Sequence, residues 1–299
     1  MATTPRADMA VIGGSGLYEM EGLTRVREVR VSTPFGKPSD AILIGTVAGQ
    51  RVAFLSRHGR GHRLSPSMIN YRANMYALKS LGVSRIFSVS AVGSMKEHIE
   101  PGHLVLPDQF IDRTTQRMGT FFDQGLVAHV AFADPICREL SGIVYRAARQ
   151  VGVPTHAGGT YVCIEGPQFS TKAESVLYRQ WGVEVIGMTN LPEAKLAREA
   201  EMCYATLALV TDYDCWHEIE ESVTVEAILK IMHNNALQAK NVILQALQYT
   251  TDSRTCGCAT ALQQAIVTSP TAISAAARRR YRLFLPPQQT KTSKRKRSR

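Results

Sequence analysis

Short apolar runs recur along the chain, and most of them stop at a glycine or a small polar residue. Met9-Ala10-Val11-Ile12 is unbroken apolar chain and reads as a buried strand running into Gly13-Gly14-Ser15-Gly16-Leu17. Two further runs, Ala41 to Val47 and Arg51 to Ser56, flank Ala48-Gly49-Gln50 and predict a hairpin. Tyr71, Met75, Leu78 and Leu81 recur at helical spacing and stop before Gly82, so 70–81 is expected to be helical. Strands follow at Arg85–Ser90, ending in Ala91-Val92-Gly93-Ser94, and at 102–111 as one piece. Residues 114–127 are polar and contain glycine, which predicts a mobile loop. Helices are expected at 136–151, opened by Asp134-Pro135, at 171–181 with the capping box Thr171/Glu174, and at 192–202. A long amphipathic helix is expected over 223–247. Between them lie β-rich segments at 159–164, 183–189 and 205–210. Strands alternating with helices predict an α/β fold, a central mixed twisted sheet flanked by helices.

The polar residues that interrupt these runs gather at strand ends. In an open α/β sheet, ligands bind there. Ser15, Arg57, Ser90, Thr189 and Asp212 all occupy such ends, which predicts one pocket lined by hydroxyls and a cation, with an acidic end. The glycine turn 13–17 can cradle an anion, although it departs from G-x-G-x-x-G and reads equally as a plain turn. Arg57-His58-Gly59-Arg60-Gly61-His62-Arg63 puts five potentially cationic side chains in seven positions. Glycines within it favour a loop folded around an anion over a merely solvated one. After the run 205–210 come Thr211-Asp212-Tyr213-Asp214-Cys215-Trp216. Carboxylates one residue apart on an extended chain point the same way and repel, so one holds its proton more tightly. That equips the pair to protonate a leaving group or grip a ring bearing N–H donors; an Asp-rich turn is the plainer alternative.

Charge narrows the partners. The net charge of +10 first suggests a polyanion, but from Ala276 to Arg299 there are ten basic residues and no acid. Without them the body is formally neutral, so the excess belongs to a tail. No apolar stretch has the length of a membrane span, and the first residues lack a signal core. Six cysteines, four of them (Cys137, Cys163, Cys203, Cys215) in apolar or aromatic surroundings, read as free thiols in a reducing, cytoplasmic setting.

Several motifs in order carry a resemblance that spans about Met9 to Tyr249: Gly13-Gly14-Ser15-Gly16-Leu17, Thr33 to Asp40, Arg57-His58-Gly59, Ile164-Glu165-Gly166-Pro167, Trp181-Gly182 and Thr211 to Trp216. Together they resemble the S-methyl-5′-thioadenosine phosphorylases of the trimeric purine nucleoside phosphorylase superfamily. The resemblance implies a nucleoside phosphorylase domain, placed at 9–284 with 254–284 a C-terminal helical region. The tail departs from the family, and its charge makes 285–299 a disordered basic extension, as 1–8 is expected to be a disordered N-terminus. The resemblance implies phosphorolysis of methylthioadenosine to adenine and 5-methylthioribose 1-phosphate, in methionine and purine salvage. Inorganic phosphate is the co-substrate, and neither metal nor organic cofactor is expected. Phosphate falls to Ser15, Arg57, His58, Ser90, Ala91 and Thr189. The nucleoside falls to Met188, Asp212, Tyr213, Asp214 and His129, with Asp212 and Asp214 catalytic at the purine. Ser170 and Val225 set specificity. His129 is expected to enter a neighbouring subunit's site in a homotrimer, and a hexamer made of two trimers stays open. Relatives acting on 6-oxopurines place Asn at the Asp212 position and Glu at the Ser170 position. Asp212 and Ser170 therefore favour adenine over methylthioinosine. A non-catalytic purine- or nucleic-acid-binding protein using the tail is the rival from another class, and a Rossmann oxidoreductase is disfavoured by the glycine spacing.

Cys256-Gly257-Cys258 lacks a second Cys/His pair at zinc spacing along the chain, so free thiols are expected. His62, His98, His103, His156 and His233 have no evident partners in the sequence, and His217-Glu218 reads as a pocket rim.

Overall fold

The computed structural model describes residues 6–217 and 225–285, without the side chains of Ser15 and 225–229. The Ser15 hydroxyl, the Val225 side chain, most of the N-terminus and the basic tail from 286 therefore lie outside the described residues.

An eleven-stranded mixed sheet forms the centre. Its first part is β1 (Met9–Gly13), β2 (Thr24–Val29), β3 (Ile42–Val47), β4 (Gln50–Ser56) and β5 (Arg85–Ser94). Then come β6 (Leu104–Leu106), β7 (Gln109–Arg113), β8 (Thr155–Ala157), β9 (Thr160–Ile164), β10 (Val185–Gly187) and β11 (Cys203–Tyr213). The helices are α1 (Tyr71–Ser80), α2 (Arg138–Val151), α3 (Lys172–Gln180), α4 (Asn190–Glu199), α5 (Val225–Tyr249) and α6 (Ala275–Arg280). Alternation along the strands builds two cores. Ala10, Ile12, Ile86, Tyr204 and Ala208 pack with Met75, Ala194 and Ala197 on one face. Their neighbours Met9, Val11, Phe87, Ala205 and Leu207 pack with Val144, Val242 and Ile243 on the other. The α3 capping box is formed as the sequence predicts.

One strand organises the sheet. The first half of β5 pairs with β1, up to Ile12 opposite Ser88. Its far end pairs with β10 through Gly93 and Ser94. Between these two ladders, on that edge, stand Val89 to Val92. The sheet forks there, and the chain segments leaving β1 and β10 both arrive at the opening.

Several expectations are corrected. The run 102–111 is two strands, because Pro107 lacks an N–H for a continuous ladder; β6 joins β8 and β11, while β7 joins β9. The exposed strand β2 has no apolar alternation to reveal it. Helix α2 begins after Cys137, whose sulfur caps Leu140 N–H, rather than at Asp134-Pro135. A 3-10 turn over Ser15–Tyr18 follows β1, where no helix is evident from the pattern. Strand β11 runs on to Tyr213, so Asp212 lies within it, next to a bulge between Val210 and Asp212.

The segment 114–127 is irregular but anchored. The Arg117 side chain is buried and donates to Glu165, to the Met188 and Leu191 carbonyls and to the Tyr71 hydroxyl. Burial raises the pKa of Glu165, but the Ser67 hydroxyl, the Thr115 and Gln116 amides and Arg117 outweigh it and hold the carboxyl down at about 2. Phe121 is fully buried among Phe35, Phe122 and Phe284. The C-terminal region closes onto this segment through Tyr281, whose hydroxyl meets Asp123 and the Gln124 amide.

Candidate active site

At the fork of β5, two hydroxyls from distant parts of the chain meet. Ser90 Oγ lies 3.3 Å from Thr189 Oγ1 and 3.3 Å from the Tyr161 hydroxyl. Thr189 immediately precedes α4, yet its side chain makes no capping bond, so the hydroxyl is free to face the opening. Tyr161 reaches Ser90 because Gly187 has no side chain; a Cβ there would sit 2.0 Å from the phenol oxygen. A glycine inside a strand pattern signals such close approach, and this is the trace by which the sequence reveals Tyr161. Ala91 is exposed beside Ser90, and Gly14 ends the path from β1. An apolar cavity of ≈ 170 Å³ opens between Gly14, Gly16, Ala91, Thr211 and the Met232–Asn235 side of α5.

Arg57 follows β4, where its amide donates to Gly13 O. Its guanidinium is 2% exposed, and most of its donors are committed. Nε and Nη2 grip both oxygens of Glu193 at 2.8 and 2.9 Å, Nη2 also reaches Ser88, and Nη1 donates to Val89 O. Four of its five N–H groups are thus used, and one on Nη1 is left over. Glu193 also accepts from the Ser88 and Tyr204 hydroxyls, while Asn190 donates to Tyr204 and Thr206. Burial alone would lower the Arg57 pKa, but the Glu193 carboxylate outweighs it and holds the guanidinium firmly charged. The sequence reading missed Glu193, because an acid in the first turn of a helix looks like an ordinary dipole partner.

His58 sits half-buried with Nδ1 2.8 Å from Leu64 O, so the proton lies on Nδ1 and Nε2 is an acceptor. Burial, helped by the Arg57 charge, lowers its pKa to about 4 and keeps the ring neutral. His62 stacks on it at 4.1 Å, which corrects the view of His62 as unpartnered. His103 and His156 likewise pair, at 3.0 Å.

The acidic end lies further along β5, on its β11 edge. Asp212 opposes Gly93 in the β11–β5 ladder. A Cβ at Gly93 would come 3.2 Å from Asp212 Oδ1 and 3.5 Å from Asp214 Cβ, so that glycine makes room for both acids. Asp214 is buried and Asp212 is open to solvent as a residue. The Asp212 carboxyl is nevertheless held above the usual range, first by partial withdrawal from water and then by repulsion from Asp214, against a 2.6 Å bond from the Thr211 hydroxyl. Tyr213 is turned the other way: its hydroxyl donates to Glu97 O and its ring stacks on His217.

Cys215 Sγ donates to Ser170 O at 3.5 Å, bringing the 165–170 loop to this end. The Ser170 hydroxyl is buried without a hydrogen-bond partner among the described residues. Phe169, a residue the sequence reading passed over, is 84% exposed beside it. Met188 packs against Gly166, where φ is +64° and any Cβ would meet the Met188 sulfur at 2.5 Å. His129 is exposed on a bridge to the 265–266 segment and is not among the side chains gathered at the fork.

A buried hydroxyl and cation frame and a protonatable acid, both set along β5, suit cleavage of a glycosidic bond by an anion. The comparisons define the class: the profile of the phosphorylase superfamily matches residues 8–248. The chain is 58% identical over 278 residues to an S-methyl-5′-thioadenosine phosphorylase of Geobacter sulfurreducens, covering 93% of this chain and 97% of that protein. A methylthioadenosine phosphorylase from an Antarctic soil metagenomic library superposes with a TM-score of 0.90 at 53% identity, covering 94% of this chain and 99% of that one. A methylthioadenosine phosphorylase from Schistosoma mansoni in complex with adenine gives a TM-score of 0.80 at 33% identity, over 87% of this chain and 99% of that one. The chain belongs to the S-methyl-5′-thioadenosine phosphorylase family of the phosphorylase superfamily.

Proposed function

We propose that this protein catalyses reversible phosphorolysis of S-methyl-5′-thioadenosine to adenine and 5-methylthioribose 1-phosphate. The observation that carries the reading is the Ser90–Thr189 hydroxyl pair at the β5 fork, on the same strand whose Gly93 pairs with Asp212 and its raised carboxyl pKa. Phosphate binds at the hydroxyl pair with Ser15, the Ala91 amide and the spare Nη1–H of Arg57. Neutral His58 accepts a hydrogen bond at Nε2 from a protonated phosphate oxygen rather than donating one. Preorganised donors in a partly dry site fix the nucleophile and its negative field below the sugar.

A phosphate oxygen bonds to C1′ as the C1′–N9 bond breaks, and the bonding pair leaves with the purine. Asp212 gives or shares a proton at N7, so adenine departs neutral. Asp214 accepts from the 6-amino group. Met188 packs on sugar and base, and exposed Phe169 offers an aromatic face to the purine. The apolar cavity beside Ala91 and α5 accepts the 5′-thioether. Phosphate is a co-substrate, and the chemistry calls for neither an organic cofactor nor a catalytic metal. His129, unused within its own subunit, reaches a neighbour's site in a cytoplasmic homotrimer.

The deciding measurement is adenine release from methylthioadenosine with and without phosphate. Release is expected only with phosphate, together with a sugar 1-phosphate. Equal release in its absence would identify a hydrolase and overturn the reading.

A further inference from the structure

Four cysteines that are scattered in the sequence meet in the fold. The sulfurs of Cys137, Cys203, Cys256 and Cys258 all lie within 4.8 Å of one another, each as a free thiol. Cys203 Sγ and Cys256 Sγ are 3.4 Å apart, well beyond the roughly 2.05 Å of a disulfide. A zinc ion bonded to four sulfurs at about 2.3 Å sets sulfur–sulfur edges of about 3.8 Å, which falls inside the spread found here. Chain spacing conceals the set, because Cys137 caps α2, Cys203 opens β11 and only the last two are neighbours.

The frame around the sulfurs is held by bonds that do not involve them. Glu139 Oε2 accepts from the Thr255 amide and hydroxyl and from the Cys256 amide, at 2.7 to 3.0 Å. Arg85 donates to Ser253 O and Arg254 to Glu201 O. The thiols are therefore presented by a fixed scaffold. Cys137, Cys203 and Cys258 are buried, while half-buried Cys256 borders a cavity of ≈ 480 Å³ through which an ion can enter. Four thiolates around a divalent ion leave two negative charges. The N-terminus of α2, where Leu140 N–H meets Cys137 Sγ at 3.5 Å, and the guanidinium groups of Arg138 and Arg198 at the cavity offset them. Asp134 also lines that cavity, as Arg138's ion-pair partner.

The cluster is remote from the chemistry. Cys203 begins the strand on which Asp212 lies nine residues later, roughly 30 Å away at the rise of an extended chain. We propose that Cys137, Cys203, Cys256 and Cys258 form a tetrathiolate site for one zinc ion, a structural clamp tying the C-terminal segment to the start of the central strands.

The test uses the full-length chain, purified with a phosphine reductant and titrated with Co²⁺ as the probe. One equivalent is expected to give the visible bands and thiolate charge transfer of a tetrahedral tetrathiolate, bleached by one equivalent of Zn²⁺. Cys203→Ser and Cys256→Ser lose the signal, and Cys163→Ser, outside the cluster, keeps it. Because a serine variant can misfold, Cys258→His is made as well; it retains a ligand and moves the bands to shorter wavelength. Zinc also raises the unfolding temperature of the wild type, reversibly with chelator. The proposal fails if all six thiols react freely and no cobalt bands form. It fails equally if cluster thiols are missing and the mass is lower by two hydrogens per bridge, which would identify disulfides. A cobalt signal that survives Cys256→Ser also defeats it.

Discussion

The two ends of the pocket are built on opposite plans. At the end proposed for phosphate, the groups are dry and mutually bound: Arg57 and Glu193 are 2% and 1% exposed and share Ser88 as a partner, while Tyr204 donates to Glu193 and Asn190 to Tyr204. At the end proposed for the purine, Asp212 is open and accepts from its own neighbour Thr211, and the Ser170 hydroxyl has no partner among the described residues. The first end is finished before any ligand arrives, whereas the second holds polar groups that a purine would satisfy. Rigidity suits an anion of fixed shape. Unmet donors and acceptors suit a base that must be chosen among close analogues, because rejection comes from leaving such groups mispaired.

The largest effect is expected from breaking the finished end. Glu193→Ala leaves the Arg57 charge buried and unpaired, which should destabilise the fold by about 3–5 kcal/mol. Urea unfolding measures this. Phosphate should restore part of the loss, since it offers Arg57 a replacement anion. A loss under 1 kcal/mol would mean that water reaches Arg57 and the frame is not dry.

At the open end the effect is on choice rather than stability. Asp212→Asn replaces an acid that gives or shares a proton at N7 by an amide that cannot pass on a proton but whose NH2 can donate to a 6-oxo purine. The ratio of kcat/KM for methylthioadenosine over methylthioinosine should fall about 100-fold, or ~2.7 kcal/mol. Unfolding free energy should move little, because Asp212 is exposed. An unchanged ratio would remove Asp212 from purine selection.

What the sequence reveals divides along the same line. Ser90, Thr189 and Asp212 are legible as polar residues because apolar runs stop at them, although Ser90 and Asp212 lie within β5 and β11 rather than at strand ends. The fork of β5 is not legible, because one strand pairing with β1, β10 and β11 is a matter of long-range register. Arg57 is visible as a cation in a glycine-bearing loop. Its partner Glu193 lies 136 residues away, so its commitment to an ion pair is invisible. The four-cysteine cluster is hidden for the same reason, and the pattern that suggests a mobile 114–127 loop contains no sign that Arg117 and Phe121 are buried.

Helix α4 extends the finished end outward, and its last acid offers a smaller test. Glu199 is buried and accepts from Thr120 Oγ1 and Phe121 N–H, both at 2.7 Å, pinning the 114–127 segment. Burial outweighs these two bonds and lifts its pKa to about 6 from 4.5. Between those two values the native state holds more protons than the unfolded chain, so stability falls as pH rises across that window. The loss levels off above about 6 and amounts to roughly 2 kcal/mol. Glu199→Gln keeps an acceptor for the Phe121 amide and can donate to the Thr120 hydroxyl, but it does not titrate. Wild type and variant should therefore be similar near pH 4 and diverge towards pH 7, with the variant the more stable. Urea midpoints across that range read the difference directly. Parallel curves would mean that Glu199 ionises with water already at hand, and the dry region would then end at Glu193 rather than running the length of α4.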